Sequence, residues 1–70
     1  MFTIYDAISE TRADIVEVVS VIRGHDYRCC KAKPIAEFVR AYRGTDVWLE
    51  PIRGYAVEPR GNQFVLKIIL

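Results

Sequence analysis

The chain has 70 residues, of which 51% are hydrophobic and 27% charged, and its formal net charge is +1. A chain of this length buries only about 60% of the surface that its unfolded form exposes, so we expect one domain over residues 1–70 and no second core. The composition excludes a disordered chain, and no apolar run approaches the roughly 18 residues of a transmembrane helix.

The N-terminal part of the chain predicts a strand followed by a helix. Residues 1–7 mix apolar and polar side chains and precede residues that commonly start helices, so we expect a strand there. Ser9 and Thr11 are suitable N-caps, and the apolar residues after them recur at i, i+3, i+4 and i+7. These positions are Ile15, Val18, Val19 and Ile22. The spacing predicts a helix over 15–22 with Glu17 on its solvent side, but β-branched residues dominate this run and a strand remains the alternative.

The second predicted helix begins near Pro34, whose missing N–H costs nothing in a first helical turn. Its apolar residues repeat the helical spacing, and Gly44 stands where a left-handed C-cap is needed. These apolar residues are Ile35, Phe38, Val39 and Tyr42.

The two predicted helical segments resemble each other. Residues 15–26 align with residues 35–46 at an offset of twenty residues, with Ile, Glu, Val, Arg, Gly and Asp at equivalent positions. Each segment leads into an apolar stretch, 27–32 or 47–52, that predicts a strand. The interpretation is a repeated helix-turn-strand unit, and the alternative is convergence of two amphipathic helices that both end in Arg-Gly.

The C-terminal part predicts a hairpin, with strands over 54–57 and 64–70 and a turn at 59–62. The last strand is mostly apolar on both faces, so it is either central in the sheet or covered by a partner. Together the elements predict an α+β fold in the order β-α-β-α-β-β. Two helices would pack on one face of a three- to four-stranded sheet whose strand order is left open.

Residues of the types that bind metal ions are close together in the sequence at one place, where His25 and Asp26 precede the adjacent cysteines Cys29 and Cys30. A structural zinc site needs four ligands, and adjacent strand residues point to opposite faces, so the geometry is poor for a metal or a Cys-His pair. We expect reduced thiols, no metal, no cofactor and no catalytic residue. Residues 1–6 lack the pattern of a secretory signal, so the expected location is the cytoplasm.

Charge is distributed unevenly along the chain. Five acidic residues stand against two basic ones in residues 1–27, whereas the remainder has eight basic residues against four acidic ones. Cations interleaved with Tyr27 and Tyr42 are typical of a surface that binds nucleic acid. The candidate nucleic-acid-binding residues are Arg28, Lys31, Lys33, Arg40 and Arg43. A net charge of +1 is small for such a function, which we therefore keep as the alternative.

The leading hypothesis is a non-enzymatic protein-interaction module, such as a regulator or inhibitor of a host protein of the kind that mobile elements such as phages encode. Aromatic residues and arginine dominate the energetics of protein interfaces. The predicted contact residues are Trp48, Arg53, Tyr55 and Arg60. A homodimer that pairs the C-terminal strands is a further expectation, because pairing would cover the apolar edge. No membrane partner is expected.

Overall fold

The computed structural model of the chain describes residues 1–22 and 24–70, leaving out the side chains of residues 21, 22 and 25–29. Within this part of the chain the elements are α1 (Ile4–Glu10), β1 (Ile15–Ile22), β2 (His25–Pro34), α2 (Ile35–Tyr42), a 3-10 helix (Asp46–Leu49), β3 (Gly54–Arg60) and β4 (Gln63–Ile69). No helix among them is long and apolar enough to cross a membrane. The predicted α+β class is confirmed, although the order of the elements is different.

The strands form one mixed sheet in the order β2-β1-β4-β3. Two antiparallel hairpins, β1–β2 and β3–β4, lie side by side and are joined by parallel pairing of β1 with β4. Helix α2 follows β2 at one edge of the sheet and leads, through the 3-10 helix, to β3 at the other edge. The pairings make β2 and β3 run in the same direction. Two strands of the same direction cannot be joined by a tight turn, so the chain crosses over between them.

The hydrophobic core lies between the sheet and both helices. The parallel register places Val16 beside Leu66 and Val18 beside Ile68, so these four side chains share one face of the sheet. The same buried cluster contains residues of α1 and α2, which therefore pack on one face as predicted. The helical members are Ile4, Ala7 and Phe38. Each fully buried large apolar side chain stabilises the fold by roughly 1.5–3 kcal/mol.

Strand β4 is central, as its two apolar faces indicate. It pairs with β1 on one side and β3 on the other, and Val65 is buried on the face opposite the helices. Both edges of β4 are therefore occupied within the chain. The apolar C-terminal strand needs no second copy of the chain to cover its edges.

The strand predicted over residues 1–7 is wrong, because Ile4–Glu10 are helical. Thr3 caps this helix: its Oγ1 accepts from the N–H of Asp6 at 3.3 Å, and the Asp6 carboxylate accepts from the N–H of Thr3 at 2.8 Å. This capping box satisfies backbone donors at the helix start. Ile4, Ala7 and Ile8 follow at helical spacing and face the core.

The helix predicted over residues 15–22 is also wrong, and the strand alternative is right. β-Branched side chains favour the extended backbone, and tertiary pairing on both sides of β1 outweighs a weak helical spacing. Thr11, a suitable N-cap by residue type, instead follows the end of α1 and donates its hydroxyl to the carbonyl of Ala7 at 2.7 Å. Glu17 consequently lies on a strand and is buried.

The predicted strand over 47–52 is wrong as well. Asp46–Leu49 form a 3-10 helix, and Pro51 makes an isolated bridge to Thr3. Proline has no N–H for a central strand, and the Trp48 ring packs edge-on against Phe38. The twenty-residue repeat is therefore not a structural repeat, since its first copy lies in the β1–β2 hairpin and its second in α2 and the turn that follows.

Three other predictions are confirmed. The strand expected over 27–32 lies within β2, the helix after Pro34 is α2, and the C-terminal hairpin is β3–β4. Gly44 after α2 has φ +80° and Gly61 in the hairpin turn has φ +64°, the left-handed region that glycine adopts without strain.

Asp14 connects three elements just before β1. Its N–H donates to the carbonyl of Phe64 at 2.9 Å, and its own carbonyl accepts from the N–H of Ile35 at 3.1 Å. Its carboxylate accepts from the N–H of Phe64 at 3.0 Å. The start of the parallel pairing and the start of α2 are thus fixed by one residue.

We predict that Asp14→Ala lowers the free energy of unfolding by about 1 kcal/mol, because an exposed, charge-assisted hydrogen bond is lost. Asp14→Asn retains a side-chain oxygen and should lose less. Urea denaturation followed by circular dichroism measures both changes. Glu10→Ala, which removes an exposed carboxylate at the end of α1, is the control. Equal stability of Asp14→Ala and the control would contradict the prediction.

Candidate functional site

Three of the four residues predicted to contact a protein lie near one edge of the sheet. Arg53 immediately precedes β3, and Tyr55 and Arg60 are part of it. All three are exposed. Trp48 lies elsewhere, in the 3-10 helix, and is only half-buried. The structure therefore presents two candidate surfaces.

The first surface is an apolar group on the β3–β4 hairpin, which we call the hairpin patch: Tyr55, Val57 and Phe64. Their exposed fractions are 38%, 41% and 52%. Tyr55 and Val57 lie opposite the core residues Ile68 and Leu66, so the patch continues the core-facing side of the sheet beyond the helices. Phe2 stacks on Tyr55, with ring centroids 5.4 Å apart and an interplanar angle of 9°.

The backbone beside the hairpin patch presents hydrogen-bonding groups at an edge of the described sheet. Because the N–H and carbonyl of Phe64 bond to Asp14, the Pro59–Phe64 pair is one of the non-hydrogen-bonded pairs of the hairpin. Alternation along an antiparallel ladder makes the pairs of Val57 and Tyr55 non-hydrogen-bonded too. Since β3 is the edge strand of the described sheet, the N–H and carbonyl groups of Tyr55 and Val57 point outward.

Arg60 is engaged within the chain. Its guanidinium lies 3.7 Å from a carboxylate oxygen of Glu17 and 3.7 Å from one of Glu58. The Glu17 side chain is only 7% exposed, and the parallel register places it beside Lys67. The prediction that Glu17 lies on a solvent-facing side is therefore wrong. Arg60, half-exposed, compensates a carboxylate that the fold has largely removed from water.

The second surface is a groove between the two helices, which we call the interhelix groove. It has a volume of about 310 Å³ and is lined by Tyr5, Ile8, Ser9, Val39, Arg43 and Trp48. Trp48 holds its position by edge-on contacts with Phe38, at 6.0 Å, and with Tyr5, at 5.9 Å between centroids. Sequence reasoning found Trp48 but missed the α1 residues, because only a helix brings Tyr5, Ile8 and Ser9 onto one side.

The structure describes the side chains of four of the five candidate nucleic-acid-binding cations. The side chain of Arg28 lies outside the described residues. Lys31 is exposed on β2, and the ammonium of Lys33 lies 5.8 Å from the ring centroid of Tyr42, in a cation–π contact. Arg40 is exposed on α2 and Arg43 follows the end of that helix. The Tyr42 ring, expected to stack on bases, instead packs against Phe38 and Lys33.

The group formed by His25, Asp26, Cys29 and Cys30 is described only in part, since the first three side chains lie outside the described residues. Cys30 is a free, half-buried thiol whose sulfur lies 3.5 Å from the carbonyl oxygen of Lys31. In the described part of the chain, no three His, Cys, Asp or Glu side chains come close enough together to hold a metal ion.

Comparison with known proteins found no match among protein-family models, curated proteins or solved structures. Three surface features bear on function: the hairpin patch with its open strand edge, the interhelix groove, and the cations on β2 and α2.

We predict that Arg60→Ala lowers the free energy of unfolding, because the Glu17 carboxylate loses a nearby cation. The decrease should be only roughly 0.5–1 kcal/mol, because the Arg60 side chain is half-exposed to water. Arg53→Ala, a matched exposed arginine beside the same strand, should change stability by less than about 0.5 kcal/mol. Midpoints of urea denaturation at low salt measure the difference. Equal effects of the two substitutions would show that the pairing of Arg60 with Glu17 does not stabilise the fold.

Proposed function

We propose that the chain is a non-enzymatic protein-binding module that regulates or inhibits its partner by accepting an extended segment of that partner at β3. The single observation that carries the proposal is the coincidence of two features on one edge. The outward backbone groups of Tyr55 and Val57 offer main-chain pairing, and the hairpin patch beside them offers apolar contact.

Strand addition of this kind explains why both features are needed. Main-chain hydrogen bonds supply affinity, and pockets or patches for alternate side chains supply specificity. Pro59 limits the ladder, because it has no N–H and its position points outward like those of Tyr55 and Val57. The incoming segment would therefore pair mainly with residues 54–58. Its alternate apolar side chains would rest on Val57 and Phe64.

Nucleic-acid binding is the weaker alternative. Such binding rests on clustered cations that neutralise phosphates. Of the five predicted cations, Lys33 is engaged by Tyr42 and Arg43 lines an apolar groove. The hairpin patch, by contrast, carries no charge at all and resembles the apolar centre of a protein interface.

The test compares Val57→Pro with Val57→Thr. The proline variant removes an outward N–H while leaving the pairing with β4 intact, as proline is tolerated on edge strands. The threonine variant keeps both the N–H and the side-chain shape. Each protein is immobilised and exposed to nuclease-treated extract of the source cells, and retained proteins are quantified by mass spectrometry.

We expect the proteins that the wild type retains to be retained equally by Val57→Thr. The amount retained by Val57→Pro should be about tenfold lower, which corresponds to a loss of about 1.4 kcal/mol of binding free energy. Circular dichroism is the control that checks whether both variants fold. Equal retention by Val57→Pro would contradict binding at β3. Retention of nucleic acid from untreated extract would favour the nucleic-acid alternative if it is lost at moderate salt and in the double variant Arg40→Glu, Arg43→Glu.

A further inference from the structure

The interhelix groove has a lining that is apolar on most sides. Ile8, Val39 and Trp48 supply aliphatic and aromatic surface, and Tyr5 is 57% exposed at the rim. Its volume of about 310 Å³ lies at the lower end of the roughly 300–1,000 Å³ usual for ligand pockets. This space suits one or two apolar side chains of a bound segment.

Positive charge borders the groove on the side of α2. Arg43 lines the groove directly, and Arg40 follows Val39 by one residue, about 100° further round the helix axis. Glu37 lies about 160° from Val39, farther from the groove than Arg40. The wall formed by α2 is therefore basic where it meets the groove.

The acidic residues of α1, Asp6 and Glu10, are not among the residues that line the groove. Asp6 lies about 100° and Glu10 about 140° round the helix axis from Tyr5, on the side opposite Ile8. Asp6 is also occupied in capping Thr3. Within the described lining, Arg43 is the charged residue. The chain thus offers an apolar floor with a cation at its edge.

We infer that the interhelix groove binds an acidic segment of a partner protein, which inserts an apolar side chain against Ile8, Val39 and Trp48 and places a carboxylate on Arg43. Arginine binds carboxylates with two parallel hydrogen bonds, which gives the contact direction as well as strength. Nucleic acid fits this site less well, because its binding rests on several clustered cations and the lining of the groove holds one, Arg43. The site is separate from β3 and does not depend on binding there.

Trp48 provides a direct readout, because it is the only tryptophan of the chain and lines the groove. The probe is a short capped peptide built from Leu, Phe and Glu, titrated into the wild-type protein while Trp48 fluorescence is recorded. The matched probe has Lys in place of every Glu. Filling of the groove should shift Trp48 emission to the blue with the acidic peptide, with affinity at least about tenfold above that for the basic peptide.

Variants at exposed positions of the lining test the assignment without endangering the fold. Arg43→Gln and Ser9→Glu should each weaken binding of the acidic peptide, the former about tenfold. Ser9→Lys should strengthen it. Arg53→Gln, a matched exposed arginine outside the lining, and Val57→Pro should bind the acidic peptide as the wild type does.

These outcomes separate the groove from the strand edge. Unchanged Trp48 emission at millimolar acidic peptide, equal affinity for the two peptides, or wild-type affinity in Arg43→Gln would overturn the inference. Loss of peptide binding in Val57→Pro would place the peptide at β3 and overturn it too. Failure of extract proteins to bind at β3 would leave the peptide result as it stands.

Discussion

Parallel pairing between β1 and β4 is the constraint on which the rest of the structure depends. A two-stranded hairpin is marginally stable in water, so neither β1–β2 nor β3–β4 would persist by itself. Side by side, they bring Val16 next to Leu66 and Val18 next to Ile68, and these four side chains form the floor on which both helices pack. Asp14 fixes the start of this pairing by bonding to Phe64 through both its backbone and its carboxylate.

The surfaces of the protein follow from that pairing. With β1 and β4 in the centre, β2 and β3 become the edges of the described sheet. The core-facing side of β3 extends past the helices, which leaves Tyr55 and Val57 partly exposed beside an unpaired backbone. Crossing from β2 to β3 also brings α2 close enough to α1 to form the interhelix groove above the sheet, with Trp48 packed at its side. Both proposed binding surfaces are thus consequences of one topology.

The sequence predicted the elements whose signals are local. Proline at the start of α2, helical spacing within it and glycine in the hairpin turn identify their elements without knowledge of the rest of the chain. The run over 15–22 misled because it is apolar at almost every position, so a helical spacing and a strand alternation both fit it; the strand is buried on both faces. The capping box of Thr3 and Asp6 is also a local signal, and it marks the start of α1. The interhelix groove could not be predicted from the sequence, because it forms only where α1 and α2 meet. Tyr55 was predicted as a contact residue from its residue type alone.

Native-state hydrogen exchange followed by NMR tests the central claim most directly. If the parallel pairing organises the fold, the amides of β1 and β4, including Val19 and Leu66, should exchange most slowly and with a common free energy close to that of global unfolding. The outward amides of Tyr55 and Val57 on β3 should exchange far faster. Slow exchange confined to the β3–β4 hairpin, with rapid exchange at Val19, would contradict the account.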